Sequence, residues 1–453
     1  MQKLFSLLIV TLILTRCATT DAPTETEINN PVMPVEYPQT ATVEQEDDYF
    51  GTPVADPYRW LEDDRSEETG EWVKAQNVVT RGYLDQIPYR TAIEERYTEL
   101  FNYPKLSSPF KAGDYYFFYK NDGLQNQFVI YYQKGLDGEP QVFIDPNEIS
   151  AAGTTSINIV GFSKDNKYAA YTRSDAGSDW TTIRVMEVAT KKELKDELKW
   201  VKFSGASWYK DGFFYSSYPA PAAGKELSAD NKNHSVYYHK LGDAQENDKL
   251  IYADSANPDY YHFGSVSEDD AYLVLYAQPG TDGFATYFKD LKKDGKITPL
   301  FKGYRNKSSV VHHVGDGKML VLTDIDAPNY RLVEVDVNNP DAKNWKTIIP
   351  NSDNLLQGVS TGGGKMYASY LEKATTRVYR YDYDGSNKQA IELPGLGSAY
   401  GFNGKEEDGT LFYTFTSFTY PPTIFKYNVA NDSSEEFYKT ELKFDPADFV
   451  EKQ

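Results

Sequence analysis

Few stretches of this sequence have the residue types and spacing for chemistry. The string Gly358-Val359-Ser360-Thr361-Gly362-Gly363 has the G-x-S-x-G spacing of a nucleophile elbow. In an elbow, a serine on a sharp strand-to-helix turn attacks a carbonyl while backbone N–H groups hold the oxyanion. Here the following residues, Lys365-Met366-Tyr367-Ala368-Ser369-Tyr370, read as a strand, so a structural turn is expected instead. There are five histidines: His234, His239, His262, His312 and His313. None is placed to complete the hydrolase order Ser…Asp…His. His312 and His313 are adjacent, and in a strand they would face opposite sides, so they do not converge on one metal or one serine. There is no H-E-x-x-H spacing, and no Gly-rich loop follows a strand and opens a helix. Neither a metal nor a cofactor is expected.

Charge narrows the partners. The formal net charge is −20, and nucleic-acid binding needs clustered Lys and Arg on the phosphates. No nucleic-acid partner is expected. Cys17 is the single cysteine, so no internal disulfide can form. Its setting is informative. Met1-Gln2-Lys3 is followed by an apolar run from Leu4 to Leu14, too short to span a bilayer. Residues 1–17 read as a signal peptide. Leu14-Thr15-Arg16-Cys17 resembles a bacterial lipobox, whose cysteine is lipidated. That pattern wants a small residue before the cysteine, and Arg16 stands there. Cys17 is the candidate lipidation site. Lipidation would imply membrane anchoring and a periplasmic or outer-membrane location in a bacterium; the alternatives are a conventionally cleaved signal, giving a secreted protein, or a mere apolar N-terminus. Residues 18–36 are rich in Thr, Pro, Asn and Glu and read as a disordered tether.

The elements that would position any site come in two blocks. Residues 37–105 carry helical signals. Ser66 can cap a helix whose first turn holds Glu67 and Glu68. Trp72, Val73, Ala75, Gln76, Val79, Tyr83 and Leu84 include helical pairings. Pro88 ends that segment, and Thr91–Phe101 reads as a second helix. Gly51–Pro57 reads as a turn-rich loop.

From about Leu106 the period becomes that of strands. Gly161–Leu194 shows the unit: polar turns at Lys164–Asn166, Ser174–Asp179 and Ala189–Lys192 punctuate four strands, the last of them short. Similar units recur at Asp114–Asp145, Ile157–Leu194, Val201–Tyr252, His262–Phe301, Ser309–Ile349, Leu355–Leu393 and Ala399–Tyr438. The third carries a polar insertion at Pro219–Asn233. A spacing of about 45 residues is that of four-stranded propeller blades. A sandwich runs nearer 100 residues, whereas this strand-rich region continues to about residue 440 without a helical interruption. The expectation is a mainly β chain with a seven-bladed propeller over residues 106–440, preceded by a short helical segment.

Several strings then point to one family. Asp56-Pro57-Tyr58-Arg59-Trp60-Leu61-Glu62-Asp63 resembles the N-terminal signature of the prolyl oligopeptidase family of serine peptidases. Trp72 with Ala75-Gln76-Asn77 is similar to the segment that follows it. Gly177–Ile183, and Val201-Lys202-Phe203-Ser204 with Trp208, match further stretches. Phe444-Asp445-Pro446 with Val450-Glu451 looks like the return from propeller to catalytic domain. The resemblance implies a propeller over an α/β-hydrolase domain that cleaves short peptides after proline with a Ser-Asp-His triad. Residues 37–105 would belong to that hydrolase domain, and 441–453 would begin its second part. In the family all three triad residues follow the propeller. No catalytic residue is therefore expected in this chain, which alone should be inactive. Its implied partners are short proline-containing peptides and the hydrolase domain. Phe203 is the residue the resemblance marks as substrate-contacting. The family's basic substrate-contacting residue before the second blade has no counterpart, since Asn158 stands there. The alternative is a stand-alone propeller lipoprotein that binds peptides or glycans. Against it, Trp60, Leu61, Trp72, Tyr83 and Leu84 would need a domain to pack on. A tunnel glycosidase would need a carboxylate pair at a set separation, which the sequence does not place.

Overall fold

The computed structural model describes residues 35–293, 295–441, 448–449 and 451–452. The apolar start, Cys17, all but the last two residues of the tether, and Phe444-Asp445-Pro446 with Val450 lie outside the described residues. The chain divides into two compact units, residues 1–94 and 95–453.

The described part of the first unit is small. Glu46–Tyr49 and Thr52–Ala55 pair as an antiparallel hairpin, where the sequence suggested only a loop. Phe50 and Gly51, both at positive φ, turn it. Arg59 then ties the family string together: it pairs with Asp47, with Asp56 at 2.6 Å and with Glu62 at 3.3 Å. The helix α1, Glu67–Leu84, starts as expected, with the Ser66 hydroxyl accepting the Thr69 N–H. Two indoles anchor the extended segment before the hairpin. Trp60 donates to the Ala41 carbonyl and Trp72 to the Thr40 hydroxyl, each at 2.9 Å. Val73, Val78, Tyr83, Tyr89 and Ile93 are all exposed. The division between the units falls inside α2, Arg90–Phe101.

In the second unit, the aromatic and β-branched strands form seven antiparallel sheets, six of four strands and one of five. Each sheet uses consecutive strands, in the order of an up-and-down propeller blade. Blade 1 runs from Lys105 to Ile144 and blade 2 from Thr155 to Val201. Blades 3 to 7 are Ser207–Tyr252, Tyr261–Phe301, Ser308–Ile349, Leu355–Ile391 and Ser398–Lys439. The blade count and order agree with the repeat pattern. Two details differ. The innermost strand of blade 1 is split into Lys105–Leu106 and Phe110–Ala112, both paired to Tyr115–Asn121. Pro109 in the gap cannot donate to the ladder, which explains the break. The fourth strand of blade 2 is not short: Lys192–Val201 is ten residues long.

Antiparallel order gives the ring two faces. Face A carries the blade-to-blade connections and the loops between second and third strands. Face B carries the other turns. The core lies between blades. Six hydrophobic clusters each join two consecutive blades, from blades 1 and 2 round to blades 6 and 7. None of these clusters joins blade 7 to blade 1. Among the described residues that seam shares no strand either. It is closed by side chains: Lys111 to Asp408 at 2.6 Å, Ser108 to Thr414 at 3.0 Å, and Tyr116 edge-on to Phe412. The Tyr438 hydroxyl also donates to the Pro104 carbonyl.

Candidate functional site

Two features on the ring can engage a ligand: an aromatic cluster on face A and a cavity on the axis that opens toward face B. The cluster brings together two distant strings of sequence, Gly177–Ile183 and Val201–Ser204. Trp180 meets Trp200 edge-on at 5.5 Å and Tyr218 at 6.0 Å. The Lys202 ammonium lies 4.0 Å from the centre of the Trp180 ring. The Trp180 indole N–H donates to the Glu226 carbonyl at 2.6 Å, which folds the 219–233 insertion back onto the cluster.

Phe203 follows Lys202 in the connection from blade 2 to blade 3. It is 61% exposed and touches only one ring partner among the described residues, Tyr261 at 5.8 Å. Its φ is +54°, a conformation in which a bulky side chain is strained. Neither its exposure nor its backbone serves packing. Phe203→Ala should therefore change folding stability by less than about 0.5 kcal/mol, as for a surface site. A urea denaturation midpoint measures this, and a loss above about 1 kcal/mol would make Phe203 a packing residue. Asn158 lies exposed on the innermost strand of blade 2.

The cavity has a volume of about 710 Å3. Blades 1 to 5 and the 405–408 turn of blade 7 all line it, which places it on the ring axis. Its rim mixes acids, among them Glu268, Glu406 and Glu407, with Lys111, Lys164 and Lys405.

The histidines are structural or isolated. His234 and His262 are buried as a pair: the His262 N–H donates to His234 Nδ1 at 2.9 Å, and the His262 ring bonds the His234 carbonyl. Burial, reinforced by His262, pulls the His234 pKa down to about 4. His312 stacks on Tyr383 of blade 6, while His313 pairs with Asp269 of blade 4 at 2.9 Å. The two point toward different blades, as strand alternation requires. His239 is fully buried between Asp196 and Asp248. Among the described residues no group of three or more His, Cys, Asp or Glu is placed to hold a metal.

Ser360 lies inside the strand Leu355–Gly362, and its hydroxyl donates to the carbonyls of Gly401 and Phe402. The two glycines after Ser360 serve packing, while Gly358 has open space around it. A methyl group at Gly362 would come within 2.8 Å of Leu411, and Gly363 has a φ of +61°. The elbow-like spacing is a contact between blades 6 and 7.

A ring of seven antiparallel blades around a central cavity, with a half-buried aromatic cluster on one face, defines the class: a seven-bladed β-propeller. Comparison makes this specific. Residues 38–440 match the family described as prolyl oligopeptidase, N-terminal beta-propeller domain. The chain is 44% identical over 420 residues to a prolyl endopeptidase of Elizabethkingia meningoseptica, covering 92% of this chain and 59% of the relative. It is 29% identical to a dual function macrocyclase-peptidase of Galerina marginata, covering 93% of this chain and 62% of the relative. Among solved structures, one from a study of two prolyl endopeptidases superposes with a TM-score of 0.83 at 30% identity, covering 91% of this chain and 61% of that one. Galerina marginata prolyl oligopeptidase B, bound to a 35mer substrate, superposes with a TM-score of 0.80 at 28% identity, covering 92% and 62%. The chain belongs to the prolyl oligopeptidase family of serine peptidases, and it spans about three-fifths of the length of these relatives.

No sequence signal marked the tie between Trp180 and Glu226 or the rim of the cavity, because their partners lie far apart in the chain. Trp180 and Phe203 are each marked in the sequence only through the family strings.

Proposed function

We propose that this chain is the propeller part of a prolyl endopeptidase, and that it limits which peptides reach a Ser-Asp-His hydrolase domain. The observation that carries the reading is the match of residues 38–440 to the propeller domain of that family. The physics is size exclusion. A cavity enclosed by a ring of stiff blades admits an extended chain and excludes a folded domain. Phe203 would offer an aromatic wall to a proline-containing peptide. A rigid ring loses little entropy on contact, and the proline ring is itself restricted. The exposed apolar side chains of α1 and of the segment after it would pack on the hydrolase domain.

Two assays test this. The chain alone should not turn over a chromogenic Gly-Pro substrate. Joined to the hydrolase domain of a prolyl endopeptidase, it should support cleavage of short peptides but not of folded proteins. Turnover by the purified chain alone, or equal cleavage of folded proteins by the joined form, would sink the reading.

We further propose that Cys17 carries a lipid that anchors the protein at a bacterial membrane. Metabolic labelling with a fatty-acid analogue should mark the wild type and not Cys17→Ser. Equal absence of label from both would refute it.

A further inference from the structure

Two contacts in the central cavity join blades that are not neighbours in the ring. Glu268, in the first turn of blade 4, accepts the main-chain N–H of Glu406 in blade 7 at 3.0 Å. Lys164, in the corresponding turn of blade 2, reaches the Glu268 carbonyl at 3.4 Å and pairs with Asp270 at 2.5 Å. Blade 3 separates blades 2 and 4, and blades 5 and 6 separate blades 4 and 7. Such contacts cannot run along the wall of the ring. They have to cross its mouth.

We propose that Glu268 is the centre of a cross-ring latch that closes the face-B mouth of the cavity to peptide-sized solutes. The ends of the latch are held from behind. The turn carrying Glu268 is fixed by Asp269, whose carboxylate meets His313 and accepts the Ser267 hydroxyl and the Ala271 N–H. The turn carrying Glu406 is fixed by Asp408, which accepts the Lys405 N–H at 2.8 Å and pairs with Lys111 of blade 1. With both turns fixed, one side chain suffices to bridge the opening. The donor on blade 7 is a main-chain group, so the latch depends on an acceptor at position 268 and not on side-chain charge at 406. The latch gives the gating reading a direction. Passage through the ring from face B would require the latch to open.

The consequence for substrates rests on the proposed gating role, but closure itself can be measured on this chain alone. Ser265 and Gln357 are exposed on the innermost strands of blades 4 and 6, the strands nearest the axis. Ser265 lies toward the face-B end of its strand and Gln357 toward the face-A end. Single cysteines at these positions, with Cys17→Ser as background, can be labelled with a maleimide on a short polar peptide. N-ethylmaleimide serves as the small control. Loss of a hydrogen bond to a charged acceptor in Glu268→Ala should speed peptide-maleimide labelling of Ser265→Cys by about tenfold. Labelling of Gln357→Cys should stay unchanged, which also reports an intact fold. Glu268→Gln keeps an acceptor and should label like the wild type. Lys164→Ala removes the second strut and should act in the same direction as Glu268→Ala. Unchanged labelling of Ser265→Cys in both alanine variants would overturn the latch. So would an equal rise at both cysteines, or a Glu268→Gln variant that labels as fast as Glu268→Ala. Any of these results leaves the peptidase assays untouched, so the latch and the gating role can fail separately.

Discussion

His239→Ala is expected to destabilise the propeller by about 3–5 kcal/mol, the range for removing one partner of a buried ion pair. His239 sits on blade 3 with no exposed side-chain surface. It bridges Asp196 of blade 2 at 2.9 Å and Asp248 of blade 3 at 2.7 Å. Only a doubly protonated ring can donate to both carboxylates. Burial works against the charge, but the two hydrogen bonds override it and raise the pKa to about 9. The carboxylates have further partners. Asp196 accepts the Gly242 N–H at 2.6 Å, and Asp248 accepts the Tyr215 hydroxyl at 2.7 Å. Alanine would leave two acids buried together without their cation.

The pH dependence follows from the sign of the shift. The folded pKa lies above the ordinary 6.5, so the stabilisation is complete below about 6.5 and is lost as pH rises through about 9. A rise from 6.5 to about 9 corresponds to about 3 kcal/mol. The cost of His239→Ala should therefore shrink as pH rises across this window. His234 acts in the opposite direction. Its pKa is depressed to about 4, so the unfolded chain takes up the proton first and stability falls as pH drops from 6.5 toward 4. Chemical denaturation of wild type and variant across this range checks both. A loss in His239→Ala that is small, or the same at every pH, would show that the ring is neutral in the folded protein.

Phe117→Ala should cost about 3–5 kcal/mol, the range for truncating a buried aromatic ring. Phe117 has no exposed surface. Its ring meets Phe143 at 5.1 Å and Tyr132 at 5.7 Å within blade 1, and Phe162 of blade 2 at 4.8 Å. Its loss opens a cavity at the flank of blade 1 that carries a hydrophobic cluster. Blade 1 should then loosen before the rest. Hydrogen exchange should speed up in Tyr115–Asn121 while blades 4 to 6 keep their protection. Uniform loss of protection would mean that the ring unfolds as one unit. The contrast with Phe203→Ala is instructive, since two phenylalanines of one domain should differ by several kcal/mol for reasons of position alone.

The periodicity of turns made the blade count legible, because each blade is a local unit with its own punctuation. Ser66 announced the start of α1 for the same reason. What the sequence hid was non-local. Asp196, His239 and Asp248 form no motif, and neither do Lys164, Glu268 and Glu406. Only ring geometry brings them together. The split first strand of blade 1 escaped because Pro109 breaks the alternation that marks a strand. The hairpin at Glu46–Ala55 escaped because both strands are largely exposed rather than amphipathic and the first is acidic. Gly362 and Gly363 beside Ser360 show the converse: part of a chemical spacing can arise from packing.

The seam between blades 7 and 1 bears on how the molecule is made. Its contacts join residues as far apart in the chain as Ser108 and Thr414, 306 positions. Closing a flexible loop of that length costs about 5 kcal/mol in chain entropy. Because the described residues share no strand across the seam, that cost falls on the last step and on no individual blade. Each sheet can form from neighbouring segments as they leave the ribosome, in the order of synthesis. Six of the seven blades can be complete before Asp408 and Thr414, which clasp the ring, have been translated.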